Sequence, residues 1–358
     1  MDRRRFMQTT GIGVLGAGVL TAATPARAGA RKLSMVTSWP AGFPGLGTSA
    51  SRVASRIEAA TGGEIRIQVH SAGEVAGPFE VFAAVSAGKA DLYHSAEYYQ
   101  QSHSPAYNFF TAIPFGLTAD EMAGWLLQGG GQALWDELAA SRNIKPLMCT
   151  NTGAQMGGWY NREIRNLDDF SGLKIRMPGL GGEALGKLGA VLRNLPGGEI
   201  YDALQDGSLD AAEWVGPWND LAAGMQEVAK HYYYPAFHEP GGNLSLGFNL
   251  DVWNSFTELQ RTIITEVATA EYTRSLAEFN VRNALSLKIL RDEHGVVPEP
   301  FSNDILAEIK KISAAVVAEV GASDAITTKI YTSFRTARER AMYWGQVGEE
   351  AFDNARRL

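Results

Sequence analysis

Cysteine is all but missing from this chain: Cys149 is the only one among 358 residues. No intramolecular disulfide and no thiolate metal cluster can be built from it, even in an oxidising compartment. It falls in the apolar run 144–149 and reads as a buried strand thiol. Clustered positive charge is also lacking, and the formal net charge of −7 argues against nucleic acid or an anionic membrane surface as a partner. The six histidines, His70, His94, His103, His231, His238 and His294, are too scattered for a transition-metal site. His231 and His238 come nearest to a pair, but the tyrosine-rich run between them reads as wall or core. The HExxH spacing is missing, there is no GxSxG elbow, and no Walker A loop appears. Gly179-Leu180-Gly181-Gly182 has neither the spacing nor the downstream acidic partner of a dinucleotide fingerprint. Carboxylates are plentiful, yet none is singled out as a glycosidase pair.

At the start, Arg3-Arg4-Arg5-Phe6-Met7 precedes a weakly apolar, Gly/Ala-rich segment, residues 9–25, and Ala26-Arg27-Ala28 supplies a small-x-small cleavage site. The pattern resembles a twin-arginine export signal, with an ordinary secretory signal as the alternative, and places the product in the periplasm. The run is too short and glycine-rich for a membrane span. Removing residues 1–28 takes away four arginines and one aspartate, so the formal charge moves from −7 to −10.

The remaining length suggests about two domains. Residues 32–39 read as a strand, 48–60 as a helix, and 64–70 as a strand in which Ile65, Ile67 and Val69 alternate with polar residues. Pro78 opens a helix that Gly88 ends before the strand 91–95. Strand, helix, strand in this rhythm is the signature of a parallel α/β sheet. Ligands of such sheets sit beyond the carboxyl ends of the strands, where Trp39 with Phe43 and Tyr98 with Tyr99 are expected to lie in loops. Thr118 and Glu121 have capping-box spacing and open a helix to residue 128, followed by another over 132–141. From residue 251 the pattern is almost wholly helical.

The stretch 150–179 is the expected binding region. Two β-like runs, 154–160 and 173–177, put Gln155 and Arg176 among apolar or small residues. A buried guanidinium needs a partner, and its planar fork matches a carboxylate. Either a ligand carboxylate supplies it, or Arg176 lies on a solvated face against Asp168 or Asp169. Glu213 and Trp214 end a short run over 210–215 just before a Gly-Pro turn. The carboxylate and the Trp214 carbonyl there suit an oxygen ligand set for a cation, or Glu213 simply faces solvent. Residues 231–242, HYYYPAFHEPGG, add Glu239 in what reads as loop.

Taken together and in order, TGAQMGGWYNREI, LDDFSGLKIRMPG, GGEIYDAL, DAAEWVGPW and HYYYPAFHEPGG resemble the solute receptors of tripartite ATP-independent periplasmic (TRAP) transporters, in particular the branch that binds 2-oxo or 2-hydroxy monocarboxylates with a cation. The resemblance implies a two-lobed α/β periplasmic-binding fold of type II-like build with long C-terminal helices. Lobe I would be 29–153 with part of 246–290, lobe II 154–245, and 251–358 a helical segment bracing both. It implies that Arg176 clamps the substrate carboxylate, and that Gln155, Glu213, the Trp214 carbonyl and Glu239 hold Ca²⁺ or Na⁺. Tyr98, Tyr99, Trp214 and Phe43 would line the ligand. The implied partners are the membrane permease subunits, with a homodimer through the C-terminal helices. The rivals are a twin-arginine-exported periplasmic enzyme acting on a small organic acid and the ligand-binding module of a sensor.

Overall fold

A computed structural model describes residues 29–358. The export segment expected at residues 1–28 lies outside them. Eleven strands are described: β1 Arg31–Thr37, β2 Ile65–His70, β3 Leu92–Ala96, β4 Ile144–Asn151, β5 Gly158–Tyr160, β6 Lys174–Arg176, β7 Val191–Leu192, β8 Ala211–Ala212, β9 His231–Tyr234, β10 Asn243–Asn249 and β11 Pro298–Pro300. They form two sheets, one of order β2-β1-β3-β10-β4 and one of order β11-β9-β5-β8-β6-β7. In the first, β1 runs parallel to β2 and β3, as its strand–helix–strand rhythm requires, and β10 returns antiparallel between β3 and β4. Each sheet is the floor of one lobe.

The chain therefore crosses between lobes four times: after β4, after β9, through the helix Glu258–Asp292 that leads from lobe I to β11, and from the helix Asn303–Gly321 on lobe II to the helix Ala325–Gly345 on lobe I. The 35-residue helix Glu258–Asp292 starts at a Thr257–Gln260 capping box. It is fixed to lobe I by the fully buried Glu271, which accepts from Arg52 at 2.6 Å and from Ser49 at 2.7 Å. It is fixed to lobe II by Asn283, whose Oδ1 accepts from the Trp218 backbone N–H at 3.0 Å, and by Phe279 against the Trp218 ring.

The short strands of lobe II depart from the sequence reading. The run 154–160 is a strand only from Gly158, so Gln155 sits in irregular backbone, and 210–215 pairs only at Ala211–Ala212. The segment read as loop, 231–242, contains β9, buried between β5 and β11. The carboxy-terminal helices Asn303–Gly321 and Ala325–Gly345 pack on the helix Gly179–Lys187 and on the helices Ala119–Gln128 and Gly131–Ala140, respectively. No helix of the described residues is long and apolar enough to cross a membrane. Cys149 is fully buried in β4.

Candidate functional site

Arg176 closes β6, directly opposite Ala212 of β8, so the residue after β8, Glu213, lies beside it. The two are tied through backbone and side chain. The Glu213 N–H donates to the Arg176 carbonyl at 2.9 Å, while Arg176 Nη1 donates to the Glu213 carbonyl at 2.7 Å and to Glu213 Oε2 at 3.0 Å. Arg176 Nε donates to the Leu195 carbonyl at 3.1 Å. Both side chains are buried, at 1% and 0% exposure, and the Trp214 ring covers the guanidinium at 5.2 Å. Neither Asp168 nor Asp169 is the partner of Arg176. Asp169 is occupied in its own turn, accepting from the backbone of Arg165 and Asn166. Among the described residues neither Arg176 Nη2 nor Glu213 Oε1 has a hydrogen-bond partner. A buried guanidinium with one arm unused beside a carboxylate with one oxygen unused is an incomplete arrangement.

The missing half comes from two crossing segments, 152–157 and 235–242, which run side by side between the lobes. The Thr152 N–H donates to the Gly242 carbonyl at 3.1 Å and the Gly242 N–H to Thr152 Oγ1 at 3.2 Å. Gln155 Nε2 donates to the same Thr152 hydroxyl at 2.8 Å, which leaves Gln155 Oε1 without a partner. Glu239 Oε1 is likewise unpartnered. A Cβ at position 242 would come within 2.3 Å of Glu239 Oε1 and 2.9 Å of Gln155 Nε2, so only glycine lets these groups converge. Ligand atoms of Glu213, His238 and Glu239 all lie within 4.8 Å of one another.

Electrostatics follow from the burial. The Glu239 carboxyl is held well above the usual carboxylate range by burial first and by the Glu213 charge second, against the pull of Arg176. The Tyr98 hydroxyl is also raised well above its ordinary value, by burial and then by Glu239, and so remains a donor. Tyr98 and Tyr99 occupy the turn after β3, ring against ring at 4.9 Å, and Phe43, in the loop after β1, meets the Trp214 ring edge-on at 6.0 Å. Phe43, Tyr98 and Tyr99, expected in the loops beyond the carboxyl ends of the parallel strands, are therefore next to the Arg176 cluster. Asn219 Nδ2 donates to the Pro44 carbonyl at 2.9 Å and links the lobes across this mouth.

All the residues named from the sequence, Phe43, Tyr98, Tyr99, Gln155, Arg176, Glu213, Trp214 and Glu239, belong to this one region. Sequence reasoning missed His238, which had been assigned to wall or core, and Asp220. The buried Asp220 carboxylate accepts from the Trp159 indole at 3.1 Å, the Tyr232 hydroxyl at 2.7 Å and the backbone N–H groups of Val215 and Gly216. It fixes the turn that carries Glu213 and Trp214, and burial pushes it up to about 7. A raised carboxyl contributes stability that is complete below about pH 4 and is lost as the pH climbs through 7. At pH 5 the carboxyl is mostly neutral and the amide of Asp220→Asn is its near isostere, so the variant should carry only a small deficit there, set by its second amide N–H among the donors. The difference should move in the variant's favour by roughly 1 kcal/mol per pH unit between 5 and 7. Urea denaturation of both proteins across that range checks it; a difference independent of pH contradicts the assignment.

Two α/β lobes joined by four crossings, with unused polar groups of lobe II and of the crossing segments brought together between them, define a two-lobed solute-binding protein. The family model described as bacterial extracellular solute-binding protein, family 7 (DctP), matches residues 35–324, and the chain belongs to that family. It is 38% identical over 322 residues to the monocarboxylate 2-oxoacid-binding periplasmic protein of Nostoc sp. PCC 7120, covering 89% of this chain and 87% of the relative. Among solved structures it is similar to a TRAP transporter solute-binding protein from Bordetella bronchiseptica RB50 with copurified calcium and picolinate (TM-score 0.89, 31% identity, 91% of this chain and 97% of that one). It is also similar to TRAP periplasmic solute-binding proteins from Pseudoalteromonas atlantica T6c with bound sodium and pyruvate (TM-score 0.88, 32% identity, 91% and 99%) and Colwellia psychrerythraea with bound calcium and pyruvate (TM-score 0.88, 30% identity, 91% and 99%).

Proposed function

We propose that this chain is the extracytoplasmic receptor of a TRAP transporter, that it binds a small 2-oxo or 2-hydroxy monocarboxylate of the pyruvate, 2-oxobutyrate or lactate type together with Ca²⁺ or Na⁺, and that it passes the acid unchanged to the membrane permease subunits. The observation that carries this reading is the convergence, in one buried region, of polar atoms without hydrogen-bond partners among the described residues: Arg176 Nη2 and the oxygens Gln155 Oε1, Glu213 Oε1 and Glu239 Oε1. Arg176 clamps the carboxylate. The amide and carboxylate oxygens, with the Trp214 carbonyl, are the hard donors that Ca²⁺ or Na⁺ prefers, and such a cation supplies the positive charge against which a 2-oxo acid can chelate. Tyr98 donates to the acid, while Tyr99, Trp214 and Phe43 exclude water from it. Relatives that hold pyruvate with sodium or calcium support the choice of ligand class.

Calorimetric titration of chelator-treated protein with pyruvate, 2-oxobutyrate and lactate, with and without Ca²⁺ or Na⁺, tests the reading. Cation-dependent binding is expected. Binding of none of these acids under any of the conditions sinks it.

The Arg-rich start, residues 1–28, is read as a twin-arginine export signal that sends the chain to the periplasm. The end of the helix Ala325–Gly345 exposes Tyr343 (80%) and Trp344 (66%), the turn after it Val347 and the following helix Glu349–Ala355 Phe352, beside a groove of about 940 Å³ between the helices Ala119–Gln128 and Ala325–Gly345. Large apolar side chains exposed in series seek a partner surface. They are read as the contact of a homodimer through these helices. Trp344→Asp should convert a dimer to a monomer in light scattering coupled to size exclusion; a parent protein that is already monomeric at the highest concentrations refutes the dimer.

A further inference from the structure

His238 is almost wholly buried, and among the described residues neither ring nitrogen has a hydrogen-bond partner. A buried imidazole without a partner costs free energy that a mere packing role could avoid with an apolar residue. Its surroundings say what it faces. Nε2 stands 3.5 Å from Glu213 Oε1, the oxygen that Arg176 leaves unused, and a Glu239 oxygen completes a trio within 4.8 Å. Two ligand atoms at about 2.1 Å from one ion, set at octahedral or tetrahedral angles, lie about 3.0–3.4 Å apart, so the His238–Glu213 spacing suits a shared ion better than a direct hydrogen bond, while the trio, which spans up to 4.8 Å, has to draw together slightly around it.

The ring is also held in place. A Cβ at position 181 would come within 2.3 Å of the His238 Cβ, so the first turn of the helix Gly179–Lys187 must be glycine there for the imidazole to reach the carboxylates. On its other side stands the Phe237 ring, edge-on at 5.5 Å.

Hard cations gain little from imidazole, whereas borderline divalent transition ions take it readily along with carboxylate. We infer that His238, Glu213 and Glu239 form a mixed nitrogen–oxygen ligand set through which this receptor can also hold its carboxylate ligand on a borderline divalent ion such as Co²⁺, Ni²⁺ or Zn²⁺, whereas Ca²⁺ or Na⁺ is held by the oxygens without the imidazole. The inference rests on the carboxylate-plus-cation reading of the same cleft. His238 is then the residue that widens the choice of cation, and the receptor's ligand is a chelate rather than a bare acid.

The test uses chelator-stripped, full-length protein titrated with CoCl₂ or CaCl₂, each alone and with pyruvate, while the visible d–d absorption of Co²⁺ is followed. The parent should bind Co²⁺ with a d–d spectrum that intensifies and shifts from that of the aqueous ion. His238→Gln should weaken Co²⁺ binding by about ten- to a hundredfold and return the spectrum toward an all-oxygen environment, while changing Ca²⁺–pyruvate affinity by less than about threefold. Retained Ca²⁺–pyruvate binding also shows that the variant is folded, and His238→Asn provides a second case. Equal losses for Co²⁺ and Ca²⁺, or unchanged Co²⁺ binding, overturn the inference. If Ca²⁺ and pyruvate bind but Co²⁺ does not, the inference falls and the receptor reading stands. His238-dependent Co²⁺ binding in a protein that takes no 2-oxo acid upholds the ligand set and sinks the receptor reading.

Discussion

Arg176→Ala lowers the affinity for pyruvate by about 2–5 kcal/mol, roughly thirty- to several-thousand-fold, and also lowers the melting temperature of the ligand-free protein. The first effect follows from the unpartnered Nη2, the donor left over for a bound carboxylate. The second follows from the other three bonds of the guanidinium, to the Leu195 carbonyl, the Glu213 carbonyl and Glu213 Oε2. Removing the arginine strands a fully buried Glu213 beside Glu239, and breaking one partner out of a buried pair costs about 3–5 kcal/mol. For a chain of this size that is a fall on the order of 5–10 °C. Arg176→Lys separates the two effects: it keeps a positive charge near Glu213 and part of the stability, but a single ammonium cannot serve Glu213 and a ligand carboxylate in the same plane. Calorimetry with scanning melts on both variants decides it. Unchanged pyruvate affinity in Arg176→Ala removes Arg176 from the site, whatever happens to the melting temperature.

That double duty of Arg176 could not be read from the sequence. Its sequence neighbours offered Asp168 and Asp169 as partners, whereas the partner comes from 37 positions away through the pairing of β6 with β8. Other features were legible because their signals are local. The alternation Ile65, Ile67, Val69 marks β2, and the Thr118–Glu121 box caps its helix, with the Thr118 N–H donating to Glu121 at 2.8 Å. Lobe II was harder. Strands of two or three residues, such as β7 and β8, are too short to show a period of two, and β11 is Pro-Glu-Pro, which only an edge position tolerates. β9 was hidden because HYYYP carries a turn residue at its end and its partners, β5 and β11, lie far off in sequence. His238 went unnoticed for a related reason: its importance depends on Glu213 from the turn after β8 and on Gly181 from a helix. The one signal available was its position next to Glu239 in a stretch otherwise rich in aromatic residues and proline.

Glu239→Gln should leave the ligand-free fold nearly as stable as the parent and abolish its stabilisation by Ca²⁺. Burial and the neighbouring Glu213 already favour the neutral, protonated form of Glu239, and an amide is the close isostere of that form. Without a cation the substitution therefore replaces a neutral group with a neutral group of nearly the same shape. With a cation the balance changes, because the favourable state needs both carboxylates ionised and the glutamine cannot supply the second charge. A ligand present at a hundred times its dissociation constant stabilises the folded state by about 2.7 kcal/mol, which should raise the parent's melting temperature by several degrees. The variant should show little of that rise with Ca²⁺ alone and little with Ca²⁺ plus pyruvate. Glu97→Gln is the matching control, since Glu97 is an equally buried carboxyl whose Oε1 accepts from Tyr93 and Ser245, away from the cluster. Its Ca²⁺ response should match the parent's. If Glu239→Gln keeps the full Ca²⁺-induced shift, Glu239 is a structural carboxyl and the cation is held by Glu213 and Gln155 without it. If both variants lose the shift equally, the effect is one of general destabilisation and says nothing specific for Glu239.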